Sequence, residues 1–325
     1  MASEDARSFA TEIADDQLRL IFIACHPAIS PAARVALTLR TVGGFGVGEI
    51  ARAFLVPEPT IAQRLVRAKR LIADQELPYA VPGPDELAER LSSVIDVLYS
   101  MFNEGYGASS GDDLVRFDLC AEAVRLAEIV AAHPVTGNPE TFALAALMRF
   151  QGARLPARQN AAGDLLLLPD QDRDQWDQTW IARGVVHLAQ AGEGERLTRL
   201  HLEAGIAACH AVAPDYAGTD WAMIVQHYAA LVARDDSPVL VLNRAVAVAE
   251  VDGPAAGLAI ARQVAEAPAL RGYYLLPATL GELHRRLGDR EAAAAAFGQA
   301  LVLAKAEPVR RFLQGRLDEV AGVVA

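Results

Sequence analysis

Residues 47–72, VGEIARAFLVPEPTIAQRLVRAKRLI, decide the fold of the N-terminal part of the chain. Ile50, Ala51 and Phe54 fall on one face of a short helix, and Ala51 is small where a second helix would cross closely. The run then breaks at Pro57. Proline lacks the N–H that a first helical turn leaves unpaired, so Pro59 suits a second helix that begins near Glu58 to Thr60. In that helix Ile61, Leu65, Ala68 and Ile72 recur at helical spacing and form the buried side, which leaves Gln63, Arg64, Arg67, Lys69 and Arg70 for the outer side. A short helix, a tight turn and a basic second helix make the pattern of a helix-turn-helix. Its first helix braces against the backbone while the second lies in the major groove, early polar residues towards base edges and later Arg and Lys towards phosphates. The competing reading is a solvated helix face. Four cations alone fit either, but no acid occurs from Ile61 to Ala73, and that combination favours DNA.

Charge around this stretch sharpens the contrast. The 325-residue chain has a formal net charge of -11, yet residues 31–76 carry +3, against -3 for residues 1–30 and -11 for residues 77–325. A compact basic module on an acidic body implies a polyanion-binding part joined to one that repels nucleic acid. A hydrophobic fraction of 52% fills the cores of two or three domains. No apolar run approaches the ~18 to 20 residues that span a bilayer. The start, MASEDARSFATEIADDQ, is acidic where a signal peptide would be basic and then apolar. Cys25, Cys120 and Cys209 are too few and too scattered for a disulfide scaffold, so the expectation is reduced thiols in a cytoplasm and no membrane partner.

Outward from the basic stretch, apolar spacing is helical nearly everywhere, as in DQLRLIFIACH, AARVALTLRTV and DELAERLSSVIDVLYSMF, which predicts an all-α chain. Pro78, Pro82 and Pro84 make a stiff connector. The expected organisation is a linker over 1–14, a four-helix DNA-binding domain over 15–76, the Pro-rich connector over 77–85 and a helical extension over 86–325. DLLLL at 164–168 is too short for a helix and reads as an isolated strand or hairpin arm. In LLPATLGELHRRLGDREAAAAAFGQALVLA, residues 275–304, Gly281, the LGD turn, Ala293, Phe297 and Ala300 follow a tetratricopeptide-like pattern. About 35 residues upstream, LNRAVAVAEVDGPAAGLAIARQVA repeats the layout with Ala261 in the place of the Phe. An Ala-rich bundle is the alternative. Both are stacked helical hairpins, whose usual work is to present a surface to another protein.

The other chemistry-bearing residues read as structural. Cys25–His26 and Cys209–His210 are adjacent pairs, which diverge on a helix, and neither has the spacing that lets two metal ligands converge. Asp170, Asp172 and Asp174 alternate as in a calcium loop, but Gln175 and Ile181 occupy the positions that need Gly and a bidentate Glu. MFNEGYGASSGDD interrupts helical flanks and gathers Asn103, Glu104, Tyr106, Asp112 and Asp113. It is either a ligand-binding loop or a loop whose Ser109, Ser110 or Asp112 caps the next helix, and capping explains it. Glu104 and Asp112 would be the carboxylates of an enzyme, but no nucleophile, metal set or phosphate loop accompanies them. No catalytic residue, cofactor or metal is expected.

SPAARVALTLRTVGGFGVGEIARAFLVPEPTIAQRLVRAKRLI, residues 30–72, resembles the promoter −35-reading domain of extracytoplasmic-function sigma factors. FNEGYGASSGDDLVR, DQDRDQW and the repeats resemble the long C-terminal extension of one subgroup of those factors. The resemblance implies that Thr60, Gln63, Arg64 and Arg67 read DNA, that Lys69 and Arg70 bind phosphate, and that the partners are promoter DNA and RNA polymerase core. Ala62 departs from the family's frequent Lys or Arg, and Pro57 and Pro59 replace the commoner Ser and Gly. About 30 residues precede the domain, too few for the family's −10-binding domain, so the expectation is a piece of a longer factor, the alternative being a protein that has lost promoter melting. The expected function is promoter recognition with polymerase recruitment, the extension either contacting polymerase or folding back on the basic domain. A protein-binding repeat scaffold with a vestigial helix-turn-helix is the alternative.

Overall fold

The computed structural model describes residues 13–53, 56–75, 82–107 and 116–322. Among them all regular structure is helical except one isolated antiparallel bridge, between Gln159 and Leu165, in agreement with the all-α expectation. The chain divides into two compact units, one of residues 1–152 and 183–196, the other of residues 153–182 and 197–325. Phe54, Glu76, residues 77–81 of the expected connector, and Ser109, Ser110, Asp112 and Asp113 lie outside the described residues.

The first unit opens with α1 (Asp16–Ala24), α2 (Pro31–Thr41), α3 (Val47–Ala53) and α4 (Glu58–Asp74). The Asp15 carboxylate starts α1 by accepting from the Leu18 amide at 2.9 Å. Pro31 and Pro59 stand in the first turns of α2 and α4, where a missing N–H costs nothing. Leu18, Ile21 and Phe22 of α1, Leu37 and Leu39 of α2, and Phe45 are buried with the inner faces of α3 and α4. Next come α5 (Pro84–Tyr106), α6 (Phe117–Ala132) and α7 (Pro139–Gly152). From Ala143 to Phe150 every residue of α7 is buried, the signature of a helix enclosed on all sides.

The second unit begins irregularly. Single 3₁₀ turns at Leu155–Ala157, Leu168–Asp170 and Arg173–Gln175 surround a small hairpin, in which the Leu166 amide donates to the Arg158 carbonyl at 2.9 Å. The expected DLLLL arm is one side of that hairpin. After α8 (Gln178–Ala191), whose residues fall to both units, come α9 (Arg199–Ala211), α10 (Trp221–Val232), α11 (Pro238–Val251), α12 (Pro254–Gln263), α13 (Leu275–Arg286), α14 (Arg290–Leu303) and α15 (Glu307–Ala321). Each helix from α9 on packs against the next. Ala293, Phe297 and Ala300 are buried, and Gly281 of α13 lies against the Phe297 ring, where an added Cβ would come within 2.8 Å. The upstream hairpin reverses this arrangement. There Gly257, in the second helix, meets the Ala249 side chain of the first, and a Cβ on it would approach to 2.6 Å. Ala261 is fully buried in the place of the Phe.

Candidate nucleic-acid interface

Short polar bonds set the helix-turn-helix. The Glu49 carboxylate accepts from the Gly46 amide at 2.6 Å and fixes the start of α3, while the Arg40 guanidinium donates to the Phe45 carbonyl at 2.7 Å. Ile50 and Ala51 of α3 are buried. The turn closes with the Val56 amide on the Ala51 carbonyl at 3.0 Å and the Thr60 amide on the Pro57 carbonyl at 2.9 Å. The chain therefore re-enters a helix at Glu58, as the sequence predicts.

Ile61, Leu65 and Ala68 of α4 are buried and Ile72 is half-buried. At 100° per residue these four centre on one side of the helix, and Gln63, Val66, Arg67 and Arg70 occupy the opposite side. Gln63, Arg67, Lys69 and Arg70 are exposed, and Thr60 and Arg64 are half-exposed. Thr60 and Arg64 lie on one shoulder of the outer face and Lys69 on the other. Sequence reasoning missed Val66. It is 52% exposed in the middle of the basic face, and its only signal was a β-branched residue off the buried stripe.

Four arginines join this part of the unit to α5 and α6. Arg90 of α5, 3% exposed, donates to the Phe22 carbonyl at 3.1 Å and to Glu86 at 2.9 Å. Arg34 of α2 donates to the carbonyls of Ile29 at 2.7 Å and His26 at 3.1 Å, and also reaches the Ser93 hydroxyl of α5. Arg116 pairs with Glu49 at 3.5 Å and covers the Phe45 ring at 4.9 Å. Arg125 of α6 pairs with Asp15 at 2.7 Å. These contacts use α1, α2, α3 and the residues beside them, and leave the outer face of α4 open.

The remaining candidates have structural occupations. Cys25 is fully buried, which pushes its thiol up to about 12, and His26 accepts the Ala28 amide through Nδ1 at 3.2 Å. Cys209 is half-buried, and burial raises its thiol as well. Burial, with the charges of Arg154 and Arg173 added, draws His210 down to about 3, so it is neutral and packs edge-on to Trp221 at 5.1 Å. Asp172 caps its own turn, accepting the Asp174 amide at 3.0 Å, and Arg173 lies over the Trp176 ring at 4.5 Å. DQDRDQW is therefore a structural anchor. Glu104 is buried, Asn103 is exposed and Tyr106 stacks on Phe102 with centroids 5.8 Å apart. Among the described residues no group of three or more His, Cys, Asp or Glu side chains could hold a metal ion, and no helix is long and apolar enough to cross a membrane.

Residues 19–72 match the model of sigma-70 region 4, the helix-turn-helix domain that binds promoter −35 elements. Residues 90–192 match a family of unknown function, DUF6596. Over 307 residues, 94% of this chain and 72% of the relative, the sequence is 39% identical to the "Uncharacterized protein R00370" of Rhizobium meliloti (strain 1021).

Proposed function

As a member of the family that includes the Rhizobium meliloti protein R00370, this chain carries a sigma-70 region 4 helix-turn-helix, and we propose that it is an extracytoplasmic-function sigma factor with a helical extension. One observation carries the reading: α4 turns an acid-free face of Gln63, Arg67, Lys69 and Arg70 to solvent while Ile61, Leu65 and Ala68 hold it down. In this role Thr60, Gln63, Arg64 and Arg67 face base edges of the −35 element, and Lys69 and Arg70 neutralise phosphates. Val66 joins them as an apolar contact suited to a thymine methyl group.

The DNA-binding domain extends over residues 15–76. The extension over 86–325 is a tetratricopeptide-like module that works with RNA polymerase core in a cytoplasm, without catalytic chemistry of its own. Contact with polymerase is favoured over masking of the DNA-reading helix by the resemblance to the extended sigma factors.

The test is selection of duplexes from a random DNA pool by the full chain, followed by affinity measurements across a salt series. The two phosphate contacts of Lys69 and Arg70 give a slope of roughly −2 in log K against log salt, at about −0.9 per contact. Arg64→Ala with Arg67→Ala removes contacts of ~1 to 3 kcal/mol each and leaves helical content unchanged. Equal affinity of wild type and double variant for the selected DNA would refute the assignment and favour a protein-binding scaffold.

A further inference from the structure

The second unit holds a half-open cavity of about 320 Å³, at the lower end of the roughly 300 to 1,000 Å³ typical of small-molecule sites. One wall is the DLLLL arm. Leu165, Leu167 and Leu168 line the space, and each remains only half-buried. The arm is fastened at its start, where Asp164 pairs with Arg311 of α15 at 2.7 Å and the Gly163 carbonyl accepts from the same guanidinium at 3.3 Å. The opposite walls carry the rings of Tyr216, Trp221, Tyr274 and Phe312. His210 backs Trp221 at 5.1 Å and Tyr216 meets its edge at 5.2 Å, so the aromatic wall is preset.

The charged groups that line the cavity are Glu250, Glu282 and Arg286. Arg286 is already engaged, donating to Glu250 at 2.5 Å and to the Ala249 carbonyl at 3.2 Å. Glu282 accepts two bonds from Arg285, which does not line the cavity and also pairs with Glu319 at 3.2 Å. Burial, then the negative charge of Glu250 and a hydrogen bond to it, keep the Tyr216 hydroxyl protonated, with Glu282 adding to the effect. The polar end therefore presents two carboxylates, one guanidinium and π faces.

We propose that this cavity binds a small apolar molecule with a cationic amine head, the tail against the DLLLL arm and the head between Glu250, Glu282 and the aromatic rings. Two lining carboxylates against one guanidinium, with ring faces beside them, favour a cation over an anion.

The experiment is calorimetric titration of the full chain with three isosteric probes, 4-phenylbutylamine, 4-phenylbutanol and 4-phenylbutyrate. The expected result is saturable one-to-one binding, with the amine at least tenfold tighter than the carboxylate. Glu250→Gln narrows that preference to threefold or less. Ala278→Trp, which fills the cavity, abolishes binding, and Val246→Phe on the half-open α11 wall does the same should Ala278→Trp lose its helical signal. Absence of saturable binding by all three probes, a carboxylate that binds as tightly as the amine, a preference unmoved by Glu250→Gln, or unaltered binding by the folded filling variants would each overturn the proposal.

Discussion

Gly281→Ala tests the packing of the α13–α14 hairpin through a change of sign. Alanine within a helix gains about 0.5 to 1 kcal/mol over glycine, so on an open face this substitution stabilises. Here the new Cβ comes 2.8 Å from Cδ1 and 2.9 Å from Cε1 of Phe297, while ordinary contact begins at 3.4 Å. Phe297 is 2% exposed, and any shift of its ring intrudes on the cavity that it helps to line. Overpacking of this kind costs ~1 to 3 kcal/mol, so the net effect is a destabilisation of up to roughly 2.5 kcal/mol. Phe297→Ala alone costs ~3 to 5 kcal/mol. In that background the obstacle is gone, and Gly281→Ala becomes stabilising by about 0.5 to 1 kcal/mol. The coupling is therefore ~1 to 3 kcal/mol, well beyond the ~0.3 to 0.5 kcal/mol of independent sites. Trp176, Trp180 and Trp221, all the tryptophans of the chain, belong to the second unit, so urea unfolding followed by tryptophan fluorescence reports on that unit directly. Additive single effects, or a stabilising Gly281→Ala in the wild-type background, would refute the packing argument.

Gly205→Ala places a Cβ 2.6 Å from the His227 ring, but that side chain is only half-buried and can swing aside, so its cost in the same assay is smaller than that of Gly281→Ala. Burial alone would raise Glu128, but hydrogen bonds from His187 and Arg149 and the charges of Arg149 and Arg183 outweigh it and hold the carboxyl at about 2. A carboxyl depressed in the folded state stabilises above its unfolded value of 4.5, and the contribution of about 3 kcal/mol is lost as pH falls from there towards 2. Acid unfolding should therefore be shallower in Glu128→Gln, and an unchanged pH profile would exclude Glu128 as its source. Cys25 and Cys120 are buried whereas Cys209 is half-buried, so a thiol reagent under native conditions modifies Cys209 first, as mass spectrometry of the early product would establish.

The helix-turn-helix was legible because its signals are local. Two prolines, a four-residue apolar stripe and a run without acids lie within 26 residues, and a helix turns such spacing into a face without help from the rest of the chain. Val66 escaped because an apolar residue on an outer face breaks no pattern. DLLLL announced that it was not a helix, but nothing near it in sequence announced a cavity, whose walls come from residues as distant as Leu165 and Leu313. Arg90 could not be distinguished from a surface arginine either. Its environment is made by Phe22, which lies 68 residues away along the chain.

That bond between Arg90 and the Phe22 carbonyl has a consequence for how such chains diversify. The buried fastening of the DNA-binding part is to main chain, which every sequence supplies, while the ion pairs around it, Glu49 with Arg116 and Asp15 with Arg125, are partly exposed and replaceable. A joint that addresses the backbone tolerates drift in the side chains it holds. Under the proposed function, the outer face of α4 can thus be rewritten for new −35 elements by mutation or recombination, with the mounting that carries it left intact.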